Sequence, residues 1–194
     1  MKKNVLWMTI LMAVLTVNTM AQTIKKDSLS KIPLGSRVDF RMDFSSATIH
    51  DRTETEFAKY EKDWEIDKPS IVEKFRSSAN LVLDKELKFG DYPDADYQIV
   101  ITVKSITTNG FMTCDALLKN KQGIVFFNVE NLKGNSDSFF TPGTKLARIK
   151  IWAALTGGAL GKMMKSRLRS DETFQIHSTL DGRTIGYRCC LNLF

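Results

Sequence analysis

Between Tyr97 and Leu132 the chain reads YQIVITVKSI, TTNG, FMTCDALLKN, KQG, IVFFNVENL, and this stretch constrains the fold more than any other. In the first run Ile99, Ile101 and Val103 alternate with Gln98 and Lys104, the period of two that gives a strand one apolar and one polar face. Asn109-Gly110 is a tight-turn dipeptide, and Lys121-Gln122-Gly123 turns the chain again. Three strands joined by such short turns form an antiparallel meander whose apolar face needs a cover.

The flanking segments supply a further strand and that cover. RVDFRMDFSSATI sets Val38, Phe40, Met42 and Phe44 against Asp39, Arg41 and Asp43, again with a period of two. TETEFAKYEKDW, residues 53–64, places Phe57, Tyr60 and Trp64 on one stripe of a charged helix. A second helix is expected with Asp67 as its N-cap and Pro69 in its first turn, carrying Ile71, Val72, Phe75, Ala79, Val82 and Leu83 and stopped by Gly90. A final helix over residues 144–168 has Leu146, Ile149, Ala153, Leu160, Met163 and Met164 on its apolar face. The expected architecture is one α+β domain over residues 36–168. Its mainly antiparallel sheet has about four strands, with helices over one face, in the order strand, helix, helix, meander, helix. Residues 22–35 read as a polar tether. Residues 169–194 read as a C-terminal extension in which Asp181-Gly182 would turn a hairpin, setting Ile176 opposite Tyr187 and Phe174 opposite Cys189.

Lys2 and Lys3 precede the uncharged run VLWMTILMAVLTV, and Thr19-Met20-Ala21 follows it with small residues where a signal peptidase reads. That run is shorter than the ~20 residues of a spanning helix, so residues 1–21 are expected to be a signal peptide cleaved between Ala21 and Gln22. No cysteine stands at the junction to take a lipid, and the expected location is the periplasm or outside the cell. Cleavage removes two lysines and no acid, so the full chain's net charge of +6 becomes +4.

The residual positive charge is spread along the chain except in Lys145–Arg169, which contains no acid. Nucleic-acid binders concentrate charge more strongly and interleave stacking aromatics, so no nucleic-acid partner is expected; peripheral contact with an acidic membrane surface stays open. Three cysteines are too few for a disulfide-built mini-fold. One bridge, from Cys114 to Cys189 or to Cys190, is open to an exported chain, whereas the simpler reading makes Cys114 a half-buried strand residue.

The letters TGGALGKM suggest a phosphate-binding loop and fail as one. The required first glycine is Thr156, the required hydroxyl is Met163, and the segment lies within a helical pattern. What it does contain is Ala153, Gly157 and Gly161 at spacings of four, a slim face that lets a helix approach a sheet or another helix closely, either within the chain or across an interface. Lys150 and Lys162 bracket only 11 residues, too few to span a bilayer.

No cofactor and no metal are expected. His50 and His177 are the only histidines and neither has a second ligand at zinc spacing. Asp91, Asp94 and Asp96 lack the glycine and terminal glutamate of a calcium loop and read as a solvated turn. No serine lies in a G-x-S-x-G context.

VDFRMDFSSATI, EKFRSSANLVL, ADYQIVITVKSITTNG and the helix ending LGKMMKSRL together resemble a group of small exported proteins of Gram-negative envelopes, related in fold to outer-membrane accessory lipoproteins that help transport and assembly machines. The resemblance covers about residues 36 to 168 and implies scaffolding and binding roles, with no catalytic residues to carry over. This chain departs from the group in lacking the lipidated cysteine and in continuing beyond Leu168. The expected function is a non-enzymatic periplasmic or secreted binding or assembly factor whose partner is an envelope protein or a second copy of itself. The alternatives are a carboxylate-dependent hydrolase of envelope polysaccharide or peptide, and a carrier of a small apolar ligand.

Overall fold

A computed structural model describes residues 22–135 and 143–169. The expected signal peptide, Ala21 and the C-terminal hairpin with His177, Cys189 and Cys190 lie outside the described residues.

The meander forms where alternation places it, as β6 (Tyr97–Ile106), β7 (Met112–Asn120) and β8 (Val125–Lys133). Ile99, Ile101 and Val103 of β6, Cys114, Ala116 and Leu118 of β7, and Phe127, Val129 and Leu132 of β8 are all fully buried. The residues between them remain half-buried, so one face of the sheet is covered and the other is open.

The rest of the sheet corrects the expectation of about four antiparallel strands. The structure has an eight-stranded mixed sheet whose main path runs from β1 (Thr23–Asp27) through β8, β7, β6 and β2 (Ser36–Asp43) to β5 (Leu87–Gly90). β2 (Ser36–Asp43) runs parallel to both β6 and β5 (Leu87–Gly90), whereas the β6–β7, β7–β8 and β8–β1 pairs are antiparallel. The short β3 (Thr48–Ile49) pairs in parallel with the end of β6 and antiparallel with β4 (Arg52–Thr53). The parallel pairs arise because a helical crossover lies between β2 and β5 and returns the chain to the end from which it started. Alternation identifies a strand and its buried face, but not its neighbour or its direction.

The tether reading is corrected as well. Thr23–Asp27 forms β1, an edge strand on β8, and a single 3-10 turn at Leu29–Lys31 follows it. Leu29 is fully buried and Ile32 nearly so. TIKKD shows no alternation because an edge strand with one neighbour has little to bury, and its lysines also discourage further pairing.

Three helices complete the domain. α1 (Glu54–Tyr60) begins with a capping box in which Glu56 N–H donates to Thr53 Oγ1 and Thr53 N–H donates to Glu56 Oε2. α2 (Trp64–Leu83) starts earlier than its Asp67 suggests, so Pro69 lies inside the helix and Trp64 is its first residue. The burial of Trp64, edge-on to both Phe44 and Phe57, draws that turn into the helix. α3 (Lys145–Leu168) is capped by Thr144, whose hydroxyl accepts from Ala147 N–H. The core lies between the covered sheet face and the pair α2 and α3. Among the described residues no helix is long and apolar enough to cross a membrane.

Candidate functional site

The slim face of α3 is turned toward α2. A Cβ on Gly157 would stand 2.1 Å from the carbonyl oxygen of Phe75, and one on Gly161 would stand 2.8 Å from that of Ala79. Ala153, Gly157 and Gly161 are buried. Gly158, one residue along, faces open space. The spacing of four therefore serves a helix–helix seam inside the domain, and these three residues form no exposed contact surface.

The acid-free run Lys145–Arg169 is likewise answered from within the fold. Lys145 lies 3.7 Å from Glu61, Lys150 lies 2.8 Å from Asp67, and Arg167 lies 3.5 Å from Asp27. Arg169 Nη2 and Lys165 Nζ reach the nearly buried Glu86 at 2.6 and 3.5 Å. The helix carries the cations and its packing partners carry the anions, so that five of the seven cations in the run are paired among the described residues.

Cys114 packs at the centre of the core with its Sγ 3.9 Å from Leu132 O. It is buried and free, not half-buried, and burial, with the charge of Asp115 adding to it, pushes its thiol well above the usual range.

The most built polar site lies at one end of the sheet, where the loop between β5 and β6 meets the turn between β7 and β8. A cleft of about 230 Å³ opens there, lined by Asp39, Asp96, Tyr97, Gln98 and Lys119 among others. Asp39 is its fixed element. It sits on the polar side of β2 yet is only 5% exposed, because the β5–β6 loop closes over it. Arg41 Nε donates to its Oδ2 at 3.0 Å, Gln98 Nε2 donates to the same oxygen at 3.1 Å, and the Tyr92 N–H reaches Oδ1 at 3.3 Å. Burial alone would raise the Asp39 pKa, but the bonds from Gln98, Arg41 and Tyr92 and the guanidinium charge outweigh it and hold the carboxyl below its ordinary value. The result is an ionised acceptor with its lone pairs largely engaged. It can position a ligand but is ill suited to donate a proton.

The aspartates of the adjoining loop are tied to lysine and arginine. Asp91 lies 3.4 Å from Arg41, and Lys121 Nζ donates to Asp94 O at 2.8 Å and lies 3.5 Å from Asp96. No group of three metal-ligating side chains occurs among the described residues. Sequence reasoning missed Asp39, since alternation alone sends it to solvent. The available signal was its place two residues before Arg41 on the same strand face, a spacing that favours an ion pair.

A second depression, of about 430 Å³, lies beside the amino end of α3 and is lined by Glu61, Asp63, Asp67, Thr144, Lys145 and Leu146. His50 lies near the same helix end, buried against the ring of Phe57.

No protein-family model matches the chain, and no curated protein is significantly similar to it. Among solved structures it is similar to a PelC dodecamer from Paraburkholderia phytofirmans, at 14% identity and a TM-score of 0.37, over 73% of this chain and 98% of that one. A single-residue variant of the PelC dodecamer from the same organism, in a second crystal form, is similar at 14% identity and a TM-score of 0.36, over 73% of this chain and 96% of that one. At that distance neither bears on what this chain does.

Proposed function

We propose that this chain is an exported, non-enzymatic binding or assembly factor of a bacterial envelope, with the Asp39 cleft as its contact site. The observation that carries the proposal is the state of Asp39, an ionised carboxylate fixed by three donors in a shallow polar cleft. A hydrolase acting through carboxylates needs one held protonated near neutral pH. Every described carboxyl group with a resolved shift, namely Asp39, Asp43, Glu56 and Glu86, is moved the other way. A carrier of apolar ligands needs an empty space between sheet and helices, but that interface is filled by buried side chains from both layers. Export is supported by the amino-terminal pattern of two lysines, an apolar run and small residues.

A photo-reactive amino acid in place of Lys119, on the cleft wall, tests the reading in cells. A discrete adduct on an envelope component, lost when Asp39→Asn is added, is the expected result. Hydrolysis of envelope polysaccharide or peptide by the purified chain, abolished by Asp39→Asn, would overturn it.

A further inference from the structure

His50 sits at the tip of a short side hairpin of the sheet. β3 and β4 have two residues each, and β3 reaches the main sheet only at the end of β6, where Thr48 faces Ser105 and Ile49 faces Ile106. The His50 N–H donates to Ile106 O at 2.9 Å, and Arg52 Nη1 donates to His50 O at 3.3 Å. His50 and Asp51 are both left-handed, with φ of 49° and 62°, a conformation that favours glycine. Two such residues in succession persist only while the surroundings hold them.

The His50 ring ties this turn to the helices. It is 8% exposed and edge-on to Phe57 of α1 at 5.2 Å, and Phe57 is edge-on to Trp64 of α2 at 5.2 Å. Its Nε2 is buried without a hydrogen-bond partner among the described residues. A neutral imidazole tolerates that position by keeping its proton on Nδ1 and leaving Nε2 bare. A protonated ring has no such choice and must bury an N–H without an acceptor.

The charges around the ring oppose protonation as well. Lys145 and Arg148 come from the first turn of α3, which carries no acid. Arg148 is placed there by its backbone, which packs on Gly110 in the turn after Ile106, and Lys145 meets Arg52 across the Tyr60 ring. Residues 106–111 contribute no titratable side chain, and Asp51 is the acid that acts in favour of the proton. Burial first, then Lys145, Arg148 and Arg52, hold the imidazole below its ordinary pKa. A released histidine takes up its proton near pH 6.5 and the buried one only at lower pH, so acid favours release across that window.

We propose that His50 is an acid-operated latch, whose protonation releases residues 48–60 from the end of β6 and from α3. Release bares Phe57 and the Trp64 ring on which it packs, so that the chain presents in acid an apolar surface that it hides at neutral pH.

Hydrogen exchange of the purified chain at pH 7.5 and pH 5.5, read by mass spectrometry and corrected for intrinsic exchange rates, tests the latch. Histidine is the side chain whose ordinary pKa lies in that window, and His177→Gln removes the other one. The opening constant of peptides spanning residues 48–60 should rise by about three- to tenfold at pH 5.5, the upper figure being the limit for one proton. Peptides from β6 and β7 should stay protected at both pH values. His50→Phe keeps a ring against Phe57 and takes no proton, so its segment should open equally at both. Lys145→Gln, a half-exposed change that removes one opposing cation, should shrink the rise. The proposal fails if the parent shows no rise, if β6 and β7 open with the segment, or if folded His50→Phe shows the same rise. Should His50→Phe not fold, an undiminished rise in Lys145→Gln overturns the proposal instead.

Discussion

Gly157 of α3 and the Phe75 carbonyl of α2 stand so close that a Cβ on the glycine would lie 2.1 Å from the oxygen. Real Cβ atoms do not approach an oxygen so closely, and the obstacle is backbone that cannot swing aside. Gly157→Ala should therefore destabilise the domain by about 1–3 kcal/mol, despite the ~1 kcal/mol that alanine gains over glycine in a helix. Gly158→Ala, which meets nothing within 4 Å, should instead be neutral or stabilising by up to ~1 kcal/mol. Urea unfolding of the two variants reads the difference. Equal effects at both positions would refute the seam as the reason for Gly157.

Gly110 tests a second close approach, between the β6–β7 turn and α3. Its φ is +86°, and an added Cβ would lie 2.8 Å from the Arg148 backbone carbon. Gly110→Ala combines a strained backbone with a collision and should cost about 2 kcal/mol or more. Gly123, at φ +80° in the β7–β8 turn, has open space around it. Gly123→Ala should thus cost only the conformational part, about 1 kcal/mol. The gap between the two unfolding midpoints isolates the helix contact.

Glu86 couples the start of β5 to the carboxyl end of α3 and should make stability depend on pH. Burial alone would raise its pKa, but the Arg169 hydrogen bonds, a backbone bond of its own and the charges of Lys165 and Arg169 outweigh that and lower it. A depressed folded pKa means that the unfolded chain takes up the proton first as acid is added. The contribution is fully present above the ordinary glutamate pKa of about 4.3 and is lost as pH falls through the lower folded value. Glu86→Gln should lower stability by about 1–3 kcal/mol at pH 7, and its penalty should shrink below about pH 4. Thermal melts across pH 3–7 check the sign. A penalty that grew on acidification would be inconsistent with the paired carboxylate.

Cys114 should resist modification in the folded chain. Burial, with Asp115 adding to it, pushes its thiol far above neutral pH, so little thiolate forms and no reagent reaches it. Iodoacetamide at pH 8 should leave the Cys114 peptide unlabelled in native protein and label it fully in denaturant, as read by mass spectrometry. Rapid native labelling would show that β7 is not buried as described.

Much of this fold was legible before any coordinates. The alternation in YQIVITVKSI and the Asn109-Gly110 turn mark β6 and β7, and the apolar positions of residues 144–168 mark α3, because these patterns are local consequences of strand and helix geometry. Ala153, Gly157 and Gly161 could be read as a close-approach row from their spacing alone, but not what they approach. The edge strand β1 gave no signal, since a strand with one neighbour need not alternate, and Leu87–Gly90 was too short to separate from the end of α2.

By itself the sequence determined β2, the meander strands β6, β7 and β8 and the body of each helix, with the apolar face of each, because those properties depend on neighbours a few residues away. Only the tertiary structure decided that β2 lies parallel between β5 and β6, that the acid-free run of α3 is matched by Glu61, Asp67, Glu86 and Asp27, and that Asp39 is enclosed. Pairing, charge compensation and burial join residues dozens of positions apart, and no local period encodes them.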